Sequence, residues 1–275
     1  MKYTAALFGC LAFSAPAFAA NGGASAIPAA NNLIYVQRIS TKVDYTETGS
    51  GYLGTRTGIL DTETGPVTGM ALSVSRMKGP ENIYYQAGLD YSNGYTTYIG
   101  SFQGGIYGSV VALSSAMLMN YHARIGKGYA LHGPFMLTPF LELGGHAWDR
   151  GVNYGELYTH YHFGAGLMGQ YTPAANVVLT ATLLYGQTFG SNIRVNGGPM
   201  LGGFSAALGN SLLSRIGVAA DYAFTNQVHG MVSLDHMGFS YGMSAPHPVG
   251  GGFVSWEPDS KTRYTLLKIG VGMAF

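Results

Sequence analysis

The sequence predicts an all-β chain, a transmembrane antiparallel up-and-down β-barrel of about ten strands, with eight as the alternative. Three observations carry this expectation. Segments of about ten residues alternate apolar and polar side chains, separated by turn-forming stretches. Beyond the N-terminal segment, no apolar run approaches the roughly 18 residues of a transmembrane helix. Charged residues make up 10 % of the chain and aromatics 13 %, with 20 Tyr and 42 Gly. That charge content is well below the roughly 25 % of soluble domains. In lipid every backbone group must be paired internally, so only helices and closed barrels qualify. With the helix excluded, the barrel remains.

The first element is a secretory signal peptide over 1–19. Lys2 supplies the basic start, Ala5 to Ala15 the short apolar core, and Ala17-Phe18-Ala19 the A-x-A cleavage site. A lipoprotein signal ending at Cys10 is the weaker alternative, because the apolar stretch before it is too short. Cys10 is the single cysteine and leaves with the signal, so neither a disulfide nor a cysteine metal site is expected. Losing Lys2 from the 14 basic residues leaves them balanced against the 13 acidic ones. A neutral chain offers nothing to nucleic acid. Residues 20–34, rich in Asn, Gly, Ala and Pro, read as a flexible lead-in.

One barrel domain fills 35–275. Its strands are expected near 35–47, 67–77, 83–91, 116–126, 135–148, 158–171, 176–189, 211–224, 228–242 and 264–275. The last shows the pattern best: Leu267, Ile269, Val271, Met273 and Phe275 share one face, while Tyr264, Leu266, Lys268 and Gly270 share the other. Connections alternate between short turns and long loops, the latter at 48–66, 92–113, 149–157, 190–210 and 243–261. Short periplasmic turns and long external loops are the barrel pattern.

The alternation places Arg38, Lys42, Arg124, Arg215 and Lys268 inward, with Asp44, Asp90, Glu142, Asp221 and Asp235. Five charges of each sign suit a paired network filling a narrow lumen, since buried charge must be paired. A selective pore would carry an excess of one sign. His160 and His162 share a face, and His146 lies near the end of the preceding strand, across the loop 149–157. Imidazoles so placed are a candidate transition-metal site, although hydrogen-bonding lumen residues are the plainer reading. No cofactor is expected. Barrel proteases pair a carboxylate with a His two residues on, but Asp235 and His236 are adjacent and point to opposite faces. The His-x-Ser of barrel deacylases does not occur.

The terminal Phe275, preceded by apolar residues at alternate positions, is similar to the strand read by the bacterial barrel-assembly machinery. The segments Val43-Asp44-Tyr45-Thr46-Glu47, Ala87-Gly88-Leu89-Asp90-Tyr91-Ser92-Asn93-Gly94, Leu137-Thr138-Pro139-Phe140, Trp148-Asp149-Arg150 and Glu257-Pro258-Asp259-Ser260 resemble a family of small proteobacterial outer-membrane β-barrel proteins. The resemblance implies the outer membrane of a Gram-negative bacterium. Its lipid and lipopolysaccharide, and the assembly machinery, are the implied partners, and no catalytic residue comes with it. The expected function is a non-enzymatic barrel with a largely plugged polar lumen and long external loops, structural or surface-interacting. The alternatives are a narrow porin-like channel and, behind it, an outer-membrane hydrolase. Deleting Phe275 should slow assembly, read as delayed appearance of the heat-modifiable folded band on gels. Unchanged kinetics would remove the role given to this residue.

Overall fold

A computed structural model describes residues 23–102, 105–198 and 202–275; the expected signal peptide lies outside the described residues. Ten strands make a closed antiparallel barrel. They are β1 (Leu33–Ser50), β2 (Thr57–Lys78), β3 (Ile83–Gly100), β4 (Val110–Lys127), β5 (Phe135–Arg150), β6 (Glu156–Ala174), β7 (Val177–Gly197), β8 (Leu212–Ala223), β9 (Val228–Tyr241) and β10 (Asp259–Ala274). Each pairs with the next in sequence, and β1 pairs with β10 to close the ring. The first hairpin is part of the wall, which decides for ten strands over eight.

Alternation sorts the side chains. On β10, Leu267, Ile269, Val271 and Met273 are exposed outward, while Tyr264 and Leu266 are buried inside. The same holds around the wall, leaving a belt of exposed apolar residues that suits lipid contact. Among the described residues no helix is long and apolar enough to cross a membrane. Aromatic pairs flank the belt. Phe135 stacks on Tyr171 at 4.6 Å near the short turns, and Tyr161 on Phe189 at 5.7 Å toward the long loops. Phe275 stays on the outer face, with the Arg76 guanidinium 5.8 Å from its ring.

The strands run further toward the long loops than the hydropathy pattern does. Residues 57–66, 92–100 and 190–197 continue β2, β3 and β7 where loops are expected. Beyond the belt the outer face turns polar, with Thr62, Thr64, Asn93 and Thr97. The apolar–polar contrast fades there although the backbone ladder continues. On β7 a bulge adds to this. The β6–β7 register skips between Thr159 and Tyr161, Gly190 takes φ +61°, and Ser191 turns inward right after the exposed Phe189 and Gly190. A bulge of this kind shifts every later side chain to the other face.

Two expectations are corrected. Part of the lead-in is ordered, because α1 (Gly23–Ala30) precedes β1 and buries Ala26 and Ile27 against the wall. Asn31 donates to the Ile27 carbonyl at 2.9 Å and to Gln170 at 2.8 Å, tying the helix end to β6. The second correction concerns Arg38, Lys42 and Asp44, which lie on the outer face of β1. Tyr35, Ile39, Val43 and Tyr45 are the buried ones. The expected register is off by one residue, which exchanges the two faces. β1 carries polar residues on both faces, Gln37 and Thr41 inside against Arg38 and Lys42 outside. Its pattern alone therefore gives little contrast to read.

Candidate functional site

The lumen is the natural place for a site, and its contents form three layers. At the short-turn end, α1 closes the opening with Ala26 and Ile27. Above it lies a polar cavity of about 160 Å³, lined from Asn31 at its floor to His146 and His160 at its ceiling. Six of the charges expected inside pair around it or in its wall. Glu142 on β5 accepts from Arg124 at 2.5 Å, Arg215 at 3.1 Å and His162 at 2.8 Å. Lys268 bridges Asp90 at 2.7 Å. Asp221 meets His229 at 2.8 Å and accepts a hydrogen bond from the Tyr35 hydroxyl. Asp235 lines the same cavity without an ion-pair partner among the described residues. Glycines make room for the bulky partners. A Cβ on Gly144 would stand 2.5 Å from the His162 ring, and one on Gly88 2.5 Å from that of His122.

An aromatic layer crosses the lumen above the cavity. Tyr264 on β10 meets His146 on the opposite wall at 5.4 Å, Tyr45 meets Trp148 edge-on at 5.1 Å, and Tyr158 stacks on Tyr241 at 5.5 Å. Trp148, Tyr158 and Tyr264 are 0 % exposed. The layer absorbs the three histidines. His146 lies directly opposite His160 in the β5–β6 register, as the hairpin geometry requires, and their rings are 5.1 Å apart. His146 is hydrogen-bonded to Asn120 at 2.7 Å and Tyr264 at 3.2 Å, His160 to Tyr241 at 2.7 Å, and His162 to Glu142. The fold brings the trio together, but four of its six ring nitrogens are committed to hydrogen bonds. Among the described residues no group of three or more such side chains is arranged to hold a metal ion. The three imidazoles sit as hydrogen-bonding lumen residues, held by Asn120, Tyr264, Tyr241 and Glu142, rather than as the candidate metal site.

The third layer lies near the long loops and escapes the sequence reading. Arg150 on β5 is buried, with Glu63 at 2.9 Å, Glu156 at 3.1 Å and Asp61 at 3.6 Å. Its guanidinium carbon sits 4.5 Å from the Tyr45 ring centre and 5.1 Å from that of Trp148. Tyr45 donates to Glu47 at 3.2 Å, and Tyr158 donates to Glu257. Five carboxyl groups thus surround one guanidinium, so the interior is not balanced in sign. Glu257 shows how the excess is accommodated. It lies in the segment before β10, and burial pushes its carboxyl well above the usual range, with Glu156 beside it raising it further. The signal available in sequence was Asp61-x-Glu63, two acids sharing a strand face, but that stretch falls in an expected loop.

These layers fill the lumen with paired charges and packed rings. Asp235 and His236 do face opposite ways: the aspartate lines the cavity, while His236 is exposed outside, hydrogen-bonded to Thr265 at 3.1 Å. No protein-family model and no curated protein matches the chain. Solved structures do. The outer membrane protease OmpT from Escherichia coli aligns at a TM-score of 0.59 with 10 % identity, covering 88 % of this chain and 96 % of that one. The translocator domain of the autotransporter NalP from Neisseria meningitidis aligns at 0.42 with 10 % identity, covering 88 % of each. The Pseudomonas putida toluene transporter TodX aligns at 0.35 with 12 % identity, covering 90 % of this chain and 92 % of that one. The likeness to OmpT shows a shared barrel fold and nothing of its activity.

Three variants test the layers by chemical unfolding in lipid. Arg150→Leu strands several buried carboxylates and should cost about 3–5 kcal/mol. Arg215→Ala should cost less, about 1.5–3 kcal/mol, because Glu142 keeps Arg124 and His162. Glu257→Gln should leave stability at neutral pH unchanged or higher. A carboxyl whose folded pKa is raised loses stability as pH climbs above its unfolded value, and the amide should flatten that decline. A loss below about 0.5 kcal/mol for Arg150→Leu would mean the cluster is hydrated rather than buried.

Proposed function

We propose that this chain is a closed, non-enzymatic outer-membrane barrel of a Gram-negative bacterium, acting through its outer wall and external loops in a structural or surface-interaction role. The observation that carries the reading is the aromatic layer. Its contacts run from β1, β9 and β10 to β5 and β6 across the lumen and leave its central rings fully buried. A solute path would need that layer to open, with α1 removed from the other end as well. The carboxylates near the loops are equally unsuited to hydrolysis, since Glu63, Glu156 and Glu257 are at most 5 % exposed.

The exterior offers more. Above Asn93, which pairs with Met117, the β3–β4 hairpin runs on toward the long loops, with Tyr95 opposite Ser115 and Leu113 opposite Thr97. It carries Tyr95, Val111 and Leu113 at 67, 66 and 74 % exposure, with Phe102 at 81 % in its loop. Exposed apolar clusters outside lipid mark interaction surfaces. The test is conductance of the refolded chain in a planar bilayer. No steady current is expected, and deleting residues 21–30 should not create one while the aromatic layer stands. Regular, ion-conducting steps from the full-length mature chain would instead establish the narrow channel.

A further inference from the structure

The outer wall carries a cationic patch where its lipid-facing belt ends. On β9 and β10 the belt finishes at the paired Leu234 and Leu267. One outward row higher, about 6.8 Å along the strands, Thr265 lies beside Lys42 on β1. The next row sets Arg263 beside Asp44, and the one above it sets Lys261 beside Thr46. Arg38 lies lower, within the belt, between Ile269 and Met70. All four cations are exposed. None makes an ion pair among the described residues, not even Arg263 with the Asp44 opposite it. Asp259 at the top of the patch is engaged by the Met243 N–H at 2.8 Å.

Cations so placed need an explanation. A Lys or Arg on the lipid face costs about 2–4 kcal/mol at the midplane and little at the interface. Long basic side chains reach toward headgroups from below. Lys42, Arg263 and Lys261 occupy successive outward rows with Asp44 and Asp259 as the acids among them, so the patch keeps a net positive charge that an anion would relieve. Phosphate is the group that multiple Arg and Lys donors suit. A second feature adjoins the patch. Below it, on the outer wall from β5 to β10, an apolar groove of about 690 Å³ runs from Phe135 and Tyr171 near the short turns up to Leu234 and Leu267, deepened where Gly169, Ala181 and Ala220 replace larger side chains. Those two leucines are the residues at the foot of the patch.

We infer that patch and groove together hold one phosphorylated glycolipid of the outer leaflet, the chemistry of the lipid A part of lipopolysaccharide. Lys42, Lys261 and Arg263 take the phosphates, Arg38 reaches up from the belt, and an acyl chain descends past Leu267 into the groove. This rests on the outer-membrane reading, with the long loops outward. It is independent of whether the lumen conducts, so the two can fail separately.

The experiment titrates the refolded mature chain in detergent micelles with bisphosphorylated lipid A, dephosphorylated lipid A and inorganic phosphate, followed by calorimetry and native mass spectrometry. Bisphosphorylated lipid A should bind at least tenfold more tightly than the dephosphorylated form, and millimolar inorganic phosphate should not displace it. A Lys42→Gln, Lys261→Gln, Arg263→Gln triple variant should lose at least tenfold, and Arg263→Gln alone a measurable part of that. All three side chains are exposed, and heat-modifiable migration checks the fold. Arg76→Gln with Lys78→Gln, at the short-turn rim, should bind as the parent does. Equal binding by the triple variant, or of the dephosphorylated lipid, would overturn the proposal. Displacement by inorganic phosphate would reduce the site to a free-anion site and overturn it as well.

Discussion

Every residue of β1 from Leu33 to Thr48 has a partner on β10, and this seam is what the rest of the molecule depends on. A strand edge facing lipid leaves its N–H and C=O groups unpaired, with no water to satisfy them. The barrel therefore exists closed or not at all. Closure joins the two strands farthest apart in the chain, so β10 must be in place before β1 has both neighbours. Closure also creates an inside. Once the ring is shut, inward side chains on ten strands compete for a narrow lumen, and crowding decides their arrangement.

The outcome inside is a gradient of solutions to one problem. Near the short turns, apolar helix residues fill the opening. At mid-height, polar side chains share Glu142, Asp90 and Asp221 as acceptors around a small cavity. Above, rings from opposite walls meet, and Arg150 gathers acids beneath the loops. The network around Arg150 is not a set of isolated ion pairs, since five carboxyl groups exceed what one guanidinium neutralises. Tyrosine hydroxyls and an elevated Glu257 pKa take up the difference. This packed interior is what the proposed role on the outside of the wall rests on.

The outer wall shows the complementary constraint. Its belt must be apolar because lipid solvates nothing else, but only for the height of the bilayer. The strands outrun that height, so the upper wall is free to carry Thr, Asn and charge. Arg38, Lys42, Lys261 and Arg263 stand at this transition, where cations have headgroups within reach. The same alternation that crowds the lumen assigns them there once the register of β1 is known.

From the sequence alone, period-two alternation, low charge and the rhythm of short and long connections determined a transmembrane barrel of about ten strands, with eight left open until the first hairpin was seen in the wall. Alternation also placed Arg124, Glu142, Arg215, Asp221, Asp90 and Lys268 on the lumen face, where their strands cross the belt with strong contrast between faces, and Asp235 too, on a strand of weaker pattern. It failed where contrast is weak. On β1 both faces are partly polar, so Arg38, Lys42 and Asp44 came out on the wrong side. Above the belt the pattern vanishes, and with it the Arg150 cluster and the extra length of β2, β3 and β7. Only tertiary structure could decide which lumen groups meet, because partners such as Tyr264 and His146 lie on opposite walls, 118 positions apart in the chain. Local sequence sets the face a side chain points to; the shear and closure of the ring set what it finds there.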